Sequence, residues 1–114
     1  MFKRIEYAGF DRHPDLRVRV EAAVPVIADE LGDSDTEVSV TFRVRDVPAG
    51  PPVLEVEFAD DTYGGRTDEW DWRTFNTERD IRSRGRAQYM RILSHYLAGR
   101  ARVYQKRLAE PVEG

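Results

Sequence analysis

Hydrophobic and polar residues alternate most strictly between Glu37 and Arg45. Val38, Val40, Phe42 and Val44 share one side, and Ser39, Thr41, Arg43 and Arg45 share the other. A period of two predicts a strand with one buried face. The prolines and glycine of 46–52, DVPAGPP, cannot sustain a ladder and predict a loop. Alternation resumes over Val53 to Ala59, with Leu54, Val56 and Phe58 on the apolar side. Pairing positions whose numbers sum to 98 sets Val44 against Leu54, Phe42 against Val56 and Val40 against Phe58. The same register sets Arg43 against Glu55 on the outer side. Both faces are chemically consistent, which predicts an antiparallel hairpin. Phe2, Ile5 and Tyr7 suit a first strand over 2–8. Residues 66–75 predict a fourth, with Trp70 and Trp72 on one face and Glu69, Asp71 and Arg73 on the other.

Two segments carry a helical period instead. Leu16, Val18 and Val20 alternate like a strand, but Leu16, Val20, Ala23, Val24, Ile27 and Leu31 recur at helical spacing. The longer pattern favours a helix, opened by Pro14 and Asp15 and stopped by Gly32. Pro25 lies inside it and predicts a kink or a break. Residues 32–35, Gly-Asp-Ser-Asp, predict a turn. Asn76 or Thr77 caps a final helix that carries Glu78 and Asp80 in its first turn and runs to about Leu108, short of Pro111. The expected order is β-α-β-β-β-α. This is an α+β domain over 1–110: a small, mostly antiparallel four-stranded sheet with two helices on one face, then a loose tail over 111–114.

The final helix is too long for its sheet. Thirty-two residues span about 48 Å, against roughly 20 Å of strand. It must bend, with Gly85 and Gly99 as candidate points, or overhang, or pack on something else. Ile81, Gly85, Tyr89, Ile92, Tyr96 and Val103 form one apolar stripe. Met90, Leu93, Leu97, Ala101, Tyr104 and Leu108 form a second, about a third of a turn away. One stripe covers one sheet; two need a further cover. The first helix or a second copy of the chain could supply it. The remaining face holds Arg84, Gln88, Arg91, His95, Arg102 and Lys106, with no carboxylate.

Charge changes this picture more than composition does. The net charge is −3, yet residues 1–76 hold nine basic and seventeen acidic residues and 77–109 hold nine and two. An acidic body is thus followed by a helix of +7. Such asymmetry marks either an internal salt-bridge layer or an interaction surface. Sixteen of the eighteen basic residues are Arg, the better residue for bidentate pairing with phosphate or carboxylate. No cysteine is present, which excludes disulfides, thiolate zinc sites and thiol catalysis. No apolar run reaches the ~18–20 residues of a membrane span, and 1–10 lacks the apolar core of a signal peptide. A cytoplasmic, soluble protein without membrane contact is expected.

Candidate chemistry is sparse. Trp70 and Trp72 are either core beneath the helices or, if exposed, a peptide contact. Asp60, Asp61, Asp68, Glu69 and Asp71 cluster around Gly64-Gly65, but the spacing does not match a calcium loop. His13 and His95 form no metal pair, and no nucleophile elbow, phosphate loop or dinucleotide fingerprint occurs. No cofactor or metal is expected. The element order with its basic last helix resembles the ribosome hibernation factors, whose four-stranded sheet with two helices docks on ribosomal RNA. That resemblance implies RNA phosphates as partners for Arg84, Arg91, Arg102 and Lys106. Three functions are consistent with these features. The leading one is a non-enzymatic interaction or adaptor module that binds a protein partner or its own copy through 81–108. The second is a ribosome- or RNA-associated factor using Arg84, Arg91, His95, Arg102 and Lys106. The third is a small enzyme using the acidic 60–71 segment.

Overall fold

The structure is a computed structural model and describes residues 1–109; the expected tail at 111–114 lies outside them. Four strands form one sheet in the order β1 (Arg4–Ala8), β2 (Val38–Arg45), β3 (Val53–Asp60) and β4 (Gly64–Trp70). β1 and β2 are parallel, joined across helix α1 (Pro14–Leu31); the other pairs are antiparallel. The fold is the expected β-α-β-β-β-α.

The β2–β3 register is the expected one, with Val44 on Leu54, Phe42 on Val56, Val40 on Phe58 and Arg43 on Glu55. The outer-face salt bridges run diagonally, Arg43 to Glu57 at 2.7 Å and Arg45 to Glu55 at 3.5 Å. On the inner face Val38, Val40, Phe42, Leu54, Val56 and Phe58 are buried beneath Val20, Ala23 and Ile27 of α1 and Ile81, Tyr89 and Ile92 of the last helix, α2 (Glu78–Ala109). Val18 lies outside this layer, so the strand period over 16–20 was coincidental and the helical one governs burial.

α1 is not broken at Pro25. The ring is exposed, and water can satisfy the Glu21 carbonyl that loses its donor. Gly9 is needed where it stands. Its φ is +80°, and a Cβ there would lie 2.2 Å from the Val44 carbonyl oxygen.

β4 ends earlier than the alternation predicted. The Asp71 carboxylate accepts the Arg73 N–H at 2.9 Å and opens a 3-10 helix over Trp72–Asn76. The two indoles therefore do not share a face. Trp70 is buried, stacked on Phe75 at 5.8 Å and edge-on to Phe58 at 6.3 Å. It presents nothing to a peptide.

α2 is capped by Thr77, whose Oγ1 accepts the Asp80 N–H at 3.1 Å, and runs uninterrupted through Gly85 and Gly99. Gly85 faces the core, and a Cβ on it would make ordinary contacts, 3.5 Å from Ile27 Cγ2 and 3.9 Å from Trp70 Cη2. Gln88, projected onto the basic face, is instead buried. Its Oε1 accepts the Trp70 indole N–H at 2.6 Å, and its Nε2 donates to the carbonyls of Val56 at 2.8 Å and Arg66 at 2.9 Å. A buried amide is tolerable because every one of these groups is paired.

Candidate docking helix

Sheet support for α2 ends at Ile92, with Leu93 and Tyr96 half-buried. The last tie is Tyr96, edge-to-face against Tyr63 of the β3–β4 turn at 4.9 Å. From Leu97 on, the helix overhangs, and this explains the longest dimension of 66 Å. α1 ends at Leu31, beside the N-terminal half of α2, so it does not cover the second apolar stripe. Leu97, Tyr104 and Leu108 remain 63–68% exposed, and Met90 and Val103 51%. At 100° per residue, Leu97, Ala101, Tyr104 and Leu108 fall within about 60° of arc, in line with Met90. An isolated helix of ~12–15 residues is marginal in water, so this segment draws its order from the supported half or from a partner.

The charge on α2 divides in two. Towards its start, cations pair with the body. Arg82 contacts Glu78 at 2.8 Å, Asp29 at 2.7 Å and Glu30 at 3.4 Å. Hydrogen bonds to Glu78 and then Asp29 raise its already high pKa. Arg86 pairs with Glu30. Two of the nine cations of 77–109 thus belong to an internal salt-bridge layer between α1 and α2.

The expected ridge is also split. Arg84 donates to the Glu69 carbonyl at 3.2 Å and Arg91 pairs with Asp68 at 3.3 Å, both against β4. His95 joins Arg66, Arg91 and Ile92 around an open hollow of about 210 Å³ beside Tyr63 to Gly65. Arg102 and Lys106 sit on the overhang and meet no carboxylate among the described residues. Residues 94–109 contain Arg100, Arg102, Lys106 and Arg107 and no acid. Arg100 folds back over the Tyr96 ring, 6.0 Å from its centroid.

The acidic segment 60–71 is dispersed by the fold. Asp60 is buried, accepting the N–H groups of Thr62 and Tyr63 and the Tyr89 hydroxyl at 2.9 Å. Burial first, offset in part by a hydrogen bond with Ser34, raises the Tyr89 pKa. Asp61 pairs with Lys3 and raises its pKa by that hydrogen bond. Asp68 holds Arg66 at 2.8 Å. Asp71 is depressed to about 2 by its side-chain hydrogen bond with Arg73. No group of three metal-ligating side chains occurs among the described residues.

Trp72 is the exposed indole. The Arg19 guanidinium lies 5.8 Å from its centroid and is itself held by the Trp72 carbonyl at 3.1 Å and by Asn76. The ring separates two open hollows of about 680 and 300 Å³ that share Pro52. At this end His13 pairs with Asp46 at 2.8 Å. No helix among the described residues is long and apolar enough to cross a membrane. No family model and no curated protein matches the chain.

Proposed function

We propose that this protein is a non-catalytic docking module whose working element is the free C-terminal half of α2. The observation that carries this reading is the overhang itself: thirteen helical residues, 97–109, beyond the sheet, with a continuous apolar stripe and four cations. A helix that lays apolar anchors at i, i+4, i+7 and i+11 into a partner surface is a recurring mode of protein recognition. Leu97, Ala101, Tyr104 and Leu108 have that spacing. A photo-crosslinking residue in place of Tyr104, in the producing cell, tests it. A discrete protein adduct is expected, lost when Leu97→Asp and Leu108→Asp are added. No adduct above that of a control at Thr67 on β4 sinks the reading.

RNA is the second reading. It is supported by the element order, which resembles the hibernation factors, and by Arg84, Arg91, His95, Arg102 and Lys106 on one line of α2, about 33 Å long. Phosphate contacts make binding steeply salt-dependent. Anisotropy of a labelled structured RNA should then fall between ~50 and ~200 mM salt. Arg102→Glu with Lys106→Glu should abolish it, and no binding at the lower salt removes this reading.

A further inference from the structure

The second apolar stripe of α2, exposed except at the half-buried Leu93, nearly matches itself when the chain direction is reversed. Its members are Met90, Leu93, Leu97, Ala101, Tyr104 and Leu108, at steps of three, four, four, three and four. The mean step is 3.6, so the stripe runs straight along the helix without supercoiling. Pairing positions whose numbers sum to 198 sets Met90 against Leu108 and Leu97 against Ala101. Leu93 and Tyr104 fall beside Gln105 and Ser94. A large side chain thus meets a small one at the centre and two large ones meet at each end. Parallel pairing would set Ala101 on Ala101 and drive the two sheet bodies together. Antiparallel pairing puts the bodies at opposite ends.

We propose that the stripe is covered by a second copy of this chain, packed antiparallel about Gly99. This rests on the reading of 97–109 as a docking element and names its occupant. Each overhang then covers Met90 and Leu93 of the other copy, which are the stripe positions flanking its sheet-supported half. The contact is about 27 Å long. With roughly 20 Å of accessible contour across the stripe, it buries about 500 Å² per copy, or about 1,000 Å² in all. That is at the lower edge of specific interfaces and fits micromolar association. The cations do not prevent it. Arg102 and Lys106 lie on the far arc, Arg107 lies on the flank about 90° from the stripe, and Arg100 is drawn onto Tyr96. The pair would expose one continuous basic surface from two helices.

Sedimentation from ~1 to ~200 μM should show a reversible shift to twice the monomer mass. Leu97→Glu with Leu108→Glu should hold the chain monomeric with an unchanged circular-dichroism spectrum. The cysteine-free sequence permits a register test. A mixture of Met90→Cys and Leu108→Cys chains should form a mixed disulfide on oxidation. Neither chain should crosslink with itself, because like positions lie about 27 Å apart, far beyond disulfide reach. A monomer at the highest concentration, or a Met90→Cys self-crosslink, overturns the antiparallel pair. A monomer that still crosslinks through position 104 to a different protein overturns self-pairing and leaves the docking reading standing. Absence of any adduct at 104 overturns both.

Discussion

Replacing Gln88 by Leu keeps its approximate volume and removes three hydrogen bonds at once. The Val56 and Arg66 carbonyls face the β3–β4 seam and keep their ladder partners, so losing the amide donor costs them little. The Trp70 indole N–H has no other acceptor. It is left buried and unpaired, at about 1–3 kcal/mol. Gln88→Leu should therefore destabilise by about 2 kcal/mol. Trp70→Phe leaves Gln88 Oε1 unpaired and opens a gap beside Phe58 and Phe75, for about 3 kcal/mol. The double variant contains neither orphan. Its cost should fall short of the sum by about 2 kcal/mol, since removing both partners cancels both unpaired-group penalties. Urea unfolding followed by far-ultraviolet circular dichroism measures each corner of the cycle. Additivity within ~0.5 kcal/mol would refute the claim that this hydrogen bond organises the junction of α2 and β4.

Two further outcomes follow from local geometry. Gly85→Ala should stabilise by up to ~1 kcal/mol, because its Cβ makes ordinary contacts with Ile27 and Trp70 and removes a helix-interior glycine; Gly85→Leu should instead lose about 2 kcal/mol or more by overpacking, and thermal melts separate the signs. Asp71 should titrate near 2 by NMR and return towards 3.8 in Arg73→Ala. Because its folded value is depressed, the stabilising part of this pairing is fully present above the unfolded carboxylate range and is lost as pH falls towards 2.

The strand pair β2–β3 was legible because two independent patterns, apolar on one face and charged on the other, select one register. Trp72 was misplaced because alternation continues through Asp71 while the chain does not. An aspartate accepting its own i+2 N–H turns the backbone with no glycine or proline to announce it. Gln88 was misread for a different reason. A helix projection ranks residues by type, and burial of an amide depends on where the edge of the sheet passes. The cover of the second stripe could not be assigned from periodicity, since it turns on where α1 stops relative to Met90. The cation ridge was legible as a line on a helix, but not its division into body-paired and overhanging parts. That division follows from the position of β4, with Glu69 and Asp68 beside Arg84 and Arg91.

The overhang also governs how the molecule moves through water. Its Cα radius of gyration is 17.6 Å, where a compact chain of this length would have about 13 Å. A globular protein reaches that radius only at about 240 residues. A single copy will therefore experience more drag than a compact protein of its own length and leave a gel-filtration column earlier than its mass suggests. Two copies sharing their helices lengthen the particle far more than they thicken it, so friction climbs faster than it would for a compact particle of twice the mass, and the frictional ratio itself becomes the signature of assembly.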